Sequence, residues 1–426
     1  MDKLQENLNM SPNYFSQDSE NAPADTILIH KPSKEVFMSM LHPAASLYEN
    51  VTEEKSIAQC FRNLTAILVG RGIKVKTVRE CLKLNRPALE ELAFTSLHYE
   101  PAEVSKSYLD NDNFKYYLSD TYKREVIHKL WVDQLVDLVL TQPTYKLKYI
   151  HQNTFVEPET ISFKPLGNLL FCRDQQITTK RGVVIGRAIS QQRVIEHKVM
   201  EQVYKNLNAN VVGHCPEGCF LEGGDFFVAK PDLAMLGVGL RTNIESANYL
   251  MENNLLGTER FAVVFDETDL DQQRMHLDTY FNIVSEKYVV VLDFEKTGEI
   301  VKKKINRKVL LFNSKKNIQP IDSGNPKIKN IVGEYKLEKI FDDFYTYLTY
   351  EGYEMIKITH QQQMDYMINF LNIGNNTILT VNPELKNVIK DTGVEVEYVE
   401  FQAVMKMFGA LHCATQVSRK PLIKVD

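Results

Sequence analysis

The sequence lacks the long apolar runs and the dense cysteines that mark membrane-spanning or disulfide-rich proteins. No run of about 18 or more apolar residues occurs in the chain, so no segment is predicted to span a membrane. No signal peptide is recognised at its start, and six cysteines among 426 residues do not make a disulfide framework. We therefore expect a cytoplasmic protein, in a reducing compartment.

The chain also lacks an excess of positive charge. Its 50 basic residues are outnumbered by 55 acidic ones, and a net charge of −5 with a pI near 6.1 gives no electrostatic footprint for nucleic acid. We interpret the lysine runs at 302–304 and 315–316 as solvated surface. The hydrophobic fraction of 44% is typical of a globular chain and excludes disorder of the whole sequence.

A metal site is weakly indicated at one place. The stretch His214-Cys215-Pro216-Glu217-Gly218-Cys219 could form one corner of a zinc site, but no second ligand pair follows at zinc-site spacing. We interpret these residues as an ordinary loop and predict no metal.

Alternating strand and helix patterns predict an α/β fold that is interrupted by one helical segment. Residues 1–25 are polar, without apolar periodicity, and are predicted to form a flexible tail, whereas 26–78 read as strand, helix and strand. From 79 to 148 helical patterns replace strand signals, most clearly over Lys123–Leu140. Alternation resumes over 149–426, with helices predicted around Tyr335–Tyr350 and over Gln361–Leu371. We expect the site where these units converge.

The clearest candidate chemistry lies in residues 271–285, an apparently extended segment in which His276 and Asp278 project from one face of a strand. Imidazole moves protons near physiological pH and a carboxylate can hold a cation, so the pair suits a positively charged substrate. Such a pair on its own is usually structural. Three further stretches accompany it: Phe171-Cys172-Arg173-Asp174, Glu222-Gly223-Gly224-Asp225 and Leu411-His412-Cys413-Ala414-Thr415.

Together these four stretches resemble the arginine deiminases of the guanidino-group-modifying superfamily, and the resemblance covers most of residues 26–426. It implies a five-bladed α/β propeller, the pentein fold, with the catalytic propeller at 26–78 and 149–426 and an inserted helical domain at 79–148. An unrelated helical domain within another α/β fold remains the alternative. The resemblance also implies hydrolysis of L-arginine to L-citrulline and ammonia through a covalent thiouronium intermediate, with no metal or organic cofactor.

The resemblance assigns a role to each matching residue. Asp174 and Asp278 would grip the planar guanidinium through charge-assisted hydrogen bonds. Cys413 would attack the guanidino carbon, with positive charge from the substrate and His276 favouring its thiolate. His276 would protonate the departing ammonia and then activate water, and Glu222 would support both the substrate and this proton transfer. The residues expected to contact the rest of the substrate are Asn168, Phe171, Arg193, Asp225 and Arg241.

One stretch departs from the family pattern. Deiminases have an arginine ahead of a glycine run before the cysteine, whereas this chain has Phe408-Gly409-Ala410-Leu411. Another guanidino substrate therefore stays open, as does transfer of the amidino group to an amine, although the 222–225 stretch favours hydrolysis. A noncatalytic binding protein of the same fold is disfavoured because the whole catalytic set is present. We expect a small guanidino substrate as the partner, no nucleic acid and no membrane, and leave a homo-oligomer open.

Overall fold

A computed structural model describes residues 15–150, 155–266, 269, 271–315 and 317–419. Strands and helices alternate through most of these residues, which confirms the predicted mixed α/β class. Within the described ranges, no helix combines the length and the apolar character that crossing a bilayer requires.

The first unit is the predicted strand, helix and strand. It consists of β1 (Ala24–Ile29), α1 (Lys34–Met40), α2 (Glu54–Gly70) and β2 (Lys74–Thr77). Helix α2 buries one face, because its apolar residues recur three or four positions apart. These buried residues are Ile57, Cys60, Phe61, Leu64 and Leu68.

Residues 15–25 do not form the loosely attached tail that their polar composition predicts. Phe15 is buried, and the backbone N–H of Gln17 donates to the carbonyl of Thr179 at 3.0 Å. The buried carboxylate of Glu20 pairs with Arg419 at 2.9 Å. Polar residues are buried here because partners elsewhere in the fold satisfy them. The predicted tail at 1–14 lies outside the described residues.

The segment after β2 is mainly helical, as predicted, but it also contains a small sheet. Its elements are α3 (Val78–Lys83), α4 (Arg86–Ser96), β3 (His98–Pro101), α5 (Asp112–Leu118), α6 (Asp120–Lys129), α7 (Val132–Thr141), β4 (Pro143–Tyr149) and β5 (Val156–Phe163). Strand β4 pairs parallel with β3 and antiparallel with β5. The prediction that strands are absent between 79 and 148 is therefore wrong.

The single helix predicted over Lys123–Leu140 is two helices, α6 and α7. They are separated by Leu130 and Trp131, whose backbones are extended with ψ of 144° and 155°. Helical spacing over Lys123–Leu140 predicts Trp131 on the apolar face with Leu135, but Trp131 is 78% exposed. Its backbone N–H donates to Gln134 Oε1 at 2.9 Å where α7 begins. Apolar spacing does not reveal the break, because the buried face continues on either side of it.

Shorter units follow as far as residue 265. They are β6 (Gln176–Thr178), β7 (Val183–Ile185), α8 (Val194–Asn206), β8 (Val211–His214), β9 (Phe226–Lys230), β10 (Leu233–Val238), α9 (Ile244–Glu252) and β11 (Arg260–Phe265). Strands β6, β7 and β10 are buried along their whole length, and β9 and β11 are exposed only in part at their ends.

The last part of the chain repeats the pattern. Its elements are β12 (Phe281–Ile283), β13 (Tyr288–Leu292), α10 (Phe294–Ile300), β14 (Lys308–Asn313), β15 (Ile331–Val332), β16 (Tyr335–Phe341), α11 (Phe344–Tyr350), β17 (Glu354–Ile358), α12 (His360–Met364), β18 (Leu371–Gly374), β19 (Thr377–Thr380), α13 (Leu385–Val388), β20 (Glu395–Tyr398), α14 (Gln402–Met405) and β21 (Thr415–Arg419).

Two helices predicted in this part are wrong over much of their length. The helix around Tyr335–Tyr350 begins only with α11 at Phe344, because β16 occupies the residues before it and buries Tyr335 and Leu337 at period two. The helix over Gln361–Leu371 ends at Met364, and Leu371 begins β18.

Five three-stranded arrangements recur in the fold, and each joins one antiparallel pair to one parallel pair. They are β21-β1-β2, β6-β7-β8, β9-β10-β11, β12-β13-β17 and β18-β19-β20. Strands β14, β16 and β15 extend the third arrangement into a six-stranded sheet. The first strands β6, β9, β12, β18 and β21 each follow a turn, and we call these turns (172–175, 222–225, 276–279, 367–370 and 411–414) the site turns.

Candidate active site

Hydrogen bonds join the five site turns to one another in a closed series. The links are Gly223 N–H to the Asp174 carbonyl (3.1 Å), Leu277 N–H to Asp225 Oδ1 (2.9 Å), Asn369 Nδ2 to the Asp278 carbonyl (3.4 Å), Cys413 N–H to Asn369 Oδ1 (3.3 Å) and Arg173 N–H to the Cys413 carbonyl (3.0 Å). Residues from 173 to 413 are thereby held around one point, where the sequence predicts convergence.

Cys413 is buried in the last site turn, two residues before β21. Its Sγ lies 3.1 Å from Asn369 Nδ2, and its S–H donates to Asp278 Oδ2 at 3.6 Å. Burial, followed by the charges of Asp278 and Asp174, raises the pKa of the Cys413 thiol well above its ordinary value, while the bond from Asn369 acts to lower it. His276 alone therefore does not produce the thiolate that the sequence led us to expect.

Asp278 is held by neutral donors as well as by the thiol. His412 Nδ1 lies 2.8 Å from Asp278 Oδ2, and the His412 ring stacks on Phe227. Burial acts to raise the pKa of Asp278, but the hydrogen bond from His412 together with the charges of His276 and Arg173 lowers it below its ordinary value. Burial and the charge of Arg173 lower the pKa of His412, so a neutral imidazole donates to an ionised carboxylate.

His276 and Glu222 form a buried ion pair with 3.0 Å between Nε2 and Oε2. Burial acts to lower the pKa of His276, but the charges of Asp174 and Asp225 and the bond to Glu222 raise it to about 10. Burial acts to raise the pKa of Glu222, but the hydrogen bond from His276 and the charge of Arg193 lower it to about 2. His276 therefore carries its proton at neutral pH.

The segment that carries His276 and Asp278 is not the strand that the sequence predicts. The backbone of His276 is extended, but residues 277–279 form a 3₁₀ turn, and β12 begins only at Phe281. Both side chains still face the site. Gly224 lies close to both side chains. A Cβ at this position would stand 2.7 Å from His276 Nδ1 and 3.1 Å from Asp278 Oδ1, so the close approach requires glycine.

Arg193 is engaged by the acids of the site itself. Its guanidinium lies 3.1 Å from Asp174, 3.3 Å from Glu222 and 3.1 Å from Glu196. Burial raises the pKa of Asp174, and the charges of Arg193 and His276 only partly offset this effect. The structure thus pairs Arg193 with Asp174 and Glu222, two acids predicted to hold the guanidinium, whereas the sequence predicts that Arg193 contacts the rest of the substrate.

The four other residues predicted to contact substrate occupy two kinds of position. Asn168 and Phe171 are buried on the wall of a cavity, and Arg241 donates to Gln272 Oε1 at 2.9 Å on the same wall. Asp225 lies instead beneath the site, where Oδ1 accepts the N–H of Leu277 and burial raises its pKa to about 7. Asp225 therefore positions the turn between His276 and Asp278.

Two cavities meet at Cys413. The acid chamber is lined by Asn168, Phe171, Asp174, Arg193, Arg241 and Gln272. The side chamber is lined by Glu49, Gln363, Met364, Tyr366, Ile368 and Asn369. Met275, Phe408 and Cys413 line both chambers, and Phe408 adopts a φ of +70°, a strained conformation for a bulky residue.

Several buried acceptors in the site have no hydrogen-bond donor among the described residues. They are Asp174 Oδ1, Glu222 Oε1 and Asp278 Oδ1. A buried carboxylate oxygen without a donor is costly, so this set favours a ligand rich in N–H groups. Ligand atoms of Asp174, Glu222 and His276 lie within 4.8 Å of one another, a spacing that a metal ion could also use. However, the cation of Arg193 already pairs with both carboxylates, which disfavours a second cation of high charge.

Sequence reasoning missed the contribution of the fourth site turn. Asn369 contacts Cys413 through both its amide nitrogen and its amide oxygen, and it is buried. It precedes β18 by two residues, as Asp174 precedes β6 and Cys413 precedes β21. That shared position is the signal that could have identified it, but it becomes visible only once the five strands are aligned.

Comparison with known proteins gives one consistent family. The family model described as arginine deiminase matches residues 46–420. An arginine deiminase of Halobacterium salinarum is 21% identical over 93% of this chain and 95% of its own length.

A solved structure shares the fold at low sequence identity. A mutant dimethylarginine dimethylaminohydrolase of Pseudomonas aeruginosa, in complex with citrulline, aligns with 93% of this chain and 99% of its own at 12% identity and a TM-score of 0.50. For the ternary complex of AgrE with ornithine and NAD⁺, the chain spans 31% of that protein's length, with a TM-score of 0.44.

Proposed function

This chain belongs to the arginine deiminase family, and from that premise we propose that it hydrolyses L-arginine to L-citrulline and ammonia through a thiouronium adduct on Cys413. As a family member it is a hydrolase of amidine C–N bonds. The proposal concerns the substrate, the covalent intermediate and the residues that carry the reaction.

One observation carries the proposal, namely the three donor-free carboxylate oxygens beside the thiol. Asp174, Glu222 and Asp278 each offer one such oxygen, and all are buried. A guanidinium is planar, permanently charged and offers several N–H donors in a fixed geometry, which suits these acceptors. The cation would also offset the acids that hold the thiol protonated, and so would lower the pKa of Cys413 on binding.

In the proposed mechanism Cys413 Sγ bonds to the guanidino carbon, and one C–N bond breaks. His276, which is protonated at neutral pH, gives its proton to the nitrogen that leaves as ammonia, and the thiol proton restores the imidazolium. Water then attacks the adduct, the C–S bond breaks, and citrulline leaves with the free thiol regenerated and one proton released to solvent. Glu222 keeps His276 oriented throughout, through the 3.0 Å bond.

The carboxylate of arginine would lie in the acid chamber near Arg241 and Asn168. Arg241 contacts the neutral Gln272, so its charge is available to a carboxylate, whereas Arg193 is already paired with three acids. Phe408 contributes no charge where deiminases have an arginine. That substitution favours a second candidate function, hydrolysis of another guanidino compound whose far end needs fewer cations.

We also propose the finer architecture, a five-bladed propeller at 26–78 and 149–426 with a helical domain inserted at 79–148. The five recurring strand arrangements and the closed series of bonds among the site turns support it. Limited proteolysis within 79–148 that leaves the remainder folded would test the domain boundary.

The decisive experiment is product identification by mass spectrometry after incubation with L-arginine, with Cys413→Ala as the control. We expect citrulline and ammonia in equal amounts from the wild type. The variant should lose turnover but retain arginine binding, because the carboxylates remain. Folded wild-type protein that releases neither product would reject the proposal.

A further inference from the structure

The fourth site turn contributes the buried amide of Asn369 to the site, and both polar atoms of this amide contact Cys413. Its Nδ2 donates to Cys413 Sγ at 3.1 Å, and its Oδ1 accepts the Cys413 backbone N–H at 3.3 Å. The reaction proposed above gives this side chain no part, although it touches the reacting sulfur.

The surroundings of Asn369 fix which end of its amide faces the sulfur. Besides Sγ, Nδ2 lies 3.4 Å from the backbone carbonyl oxygen of Asp278. If the amide were turned over, its oxygen would face that carbonyl oxygen and its nitrogen would face the N–H of Cys413, so like groups would oppose each other. The hydrogen-bond pattern therefore holds an N–H group against the sulfur.

The backbone of Asn369 is held as well as its side chain. Its N–H donates to the carbonyl of Tyr366 at 3.1 Å, and its carbonyl accepts the N–H of His412 at 3.3 Å. A donor fixed in this way needs no reorganisation when negative charge develops on the sulfur.

Burial and charge oppose ionisation of the Cys413 thiol. Burial has the largest effect and raises the pKa of the thiol, and the charges of Asp278 and Asp174 raise it further. The hydrogen bond from Asn369 and a backbone hydrogen bond from Ala410 act to lower that pKa. Since an N–H donor binds a thiolate more strongly than a thiol, the amide of Asn369 acts against the two acids.

The other titratable groups near the sulfur have partners elsewhere. Burial, followed by the charge of Glu49, raises the pKa of Tyr366, and its hydroxyl donates to a backbone carbonyl. His276 bonds to Glu222 at 3.0 Å, and the neutral ring of His412 bonds to the carboxylate of the third site turn. Among the side chains that the structure describes, Asn369 thus supplies the hydrogen bond to the sulfur.

We propose that Asn369 is a catalytic residue whose amide N–H stabilises negative charge on Cys413 Sγ. The inference rests on the proposed function, because it concerns the same nucleophile. Sγ loses its proton as it bonds to the guanidino carbon, and the electron pair returns to Sγ when the C–S bond breaks. In both steps the amide donates to the charge on sulfur, and Asn369 itself neither gains nor loses a proton.

Two substitutions test the donor. Asn369→Asp keeps an oxygen that can accept the Cys413 N–H but adds a charge, whereas Asn369→Leu adds no charge but removes that acceptor. Both variants lose the N–H that faces the sulfur, so an effect common to both comes from this donor. Asn369→Ala, which also lacks the donor, replaces either variant if it does not fold.

Two controls separate this role from support of the turn and from added charge. Asn282 in β12 supports the same turn, because its amide donates to the carbonyls of Ile368 and Phe370 at 2.8 and 2.9 Å. Asn282→Ala therefore weakens the turn but keeps the donor to the sulfur. Asn387→Asp adds a charge on the exposed face of α13, away from the site.

The readout is the rate at which iodoacetamide alkylates Cys413 in the free protein as a function of pH, since this rate follows the thiolate population. Trypsin cuts after Lys406 and Arg419, and the peptide between them contains one cysteine, so mass spectrometry assigns the label. We expect alkylation at pH 8 to slow by at least threefold in Asn369→Leu. In Asn369→Asp, where a charge is also added, it should slow by at least tenfold.

Both controls should be alkylated at the wild-type rate, although Asn282→Ala should lower the melting temperature. A wild-type rate in either folded Asn369 variant would overturn the inference. Equal slowing in Asn282→Ala would also overturn it, because the position of the turn would then explain the effect.

Turnover distinguishes failure of this inference from failure of the proposed function. In Asn369→Leu we expect kcat for arginine to fall tenfold or more with arginine binding close to wild type, because the amide contacts the sulfur and not the carboxylates. Slower alkylation with an unchanged kcat would overturn the catalytic role of Asn369 and leave the proposed function intact. Absence of citrulline from the wild type would overturn both.

Discussion

The two sides of the site satisfy their buried groups in different ways. On the ionic side, formed by Asp174, Glu222, His276 and Arg193, charged groups pair with one another. On the thiol side, formed by Asp278, Asn369, His412 and Cys413, neutral donors hold the single carboxylate and the sulfur. The ionic side therefore holds a proton on His276, while the thiol side keeps the thiol of Cys413 protonated.

The two aspartates expected to grip the substrate show this difference directly. Burial raises the pKa of Asp174 and is only partly opposed, whereas at Asp278 the hydrogen bond from His412 together with the charges of His276 and Arg173 outweighs burial and lowers the pKa. The pKa values of two aspartates in one site are thus shifted in opposite directions. Such a difference lets the same type of side chain take different roles in one site.

Loss of the proton that His276 carries should have the largest effect on catalysis. His276→Gln eliminates the acid of the ionic side, and we expect kcat for arginine to fall about 10²–10⁴-fold, the usual contribution of a general acid. Binding of arginine should persist because the carboxylates remain. Stopped-flow turnover and equilibrium binding would measure both values, and a loss below tenfold would contradict the assignment.

Displacing the side chains at the place where the ionic side meets the thiol side should lower activity by a smaller factor. Gly224→Ala places a methyl group 2.7 Å from His276 Nδ1 and 3.1 Å from Asp278 Oδ1, so one of them must shift. We expect kcat/KM to fall about 10²-fold, as displacements near 1 Å typically produce. Gly70→Ala, where a methyl group meets nothing within 4 Å, is the control. Wild-type activity in Gly224→Ala would show that this contact is not tight.

Arg241 lies outside both sides, so its loss should affect binding more than chemistry. For Arg241→Gln we expect KM for arginine to rise about tenfold or more, the cost of one charged hydrogen bond, with little change in kcat. A guanidine without a carboxylate serves as the matched substrate, and its KM should change far less. Equal changes for both substrates would contradict a carboxylate-binding role.

The smallest expected effect is on the pH dependence of the melting temperature. The pKa of His276 is raised from 6.5 to about 10, so its stabilising contribution is complete below pH 6.5 and is lost as pH rises through 10. Glu222, with its pKa lowered from 4.5 to about 2, contributes above pH 4.5 and loses that contribution as pH falls through 2. The melting temperature of the wild type relative to His276→Gln should therefore decline from pH 6.5 to 10. A constant difference would contradict the ion pair.

Sequence patterns predicted local structure best where one face is regularly buried. Helix α2 follows the spacing of its apolar residues, and β7, β13 and β19 follow their short apolar runs. The same reasoning failed at β16, where aromatic residues suit either element, and at Trp131, where a break leaves the spacing intact. It also failed for residues 15–25, because their partners lie as far away as Arg419.

By itself the sequence determined the mixed α/β class, the family and, Asn369 apart, the residues to which the proposed chemistry is assigned, because residue types at fixed local spacings are visible in the chain. Only the tertiary structure decided how those residues are used. The pairing of Arg193 with Asp174 and Glu222, the thiol state of Cys413, the entry of Asn369 and the division into two chambers all depend on contacts between segments distant in sequence. The pKa of each site residue and the hydrogen-bond donors available to it depend on these neighbours, which local sequence patterns do not reveal.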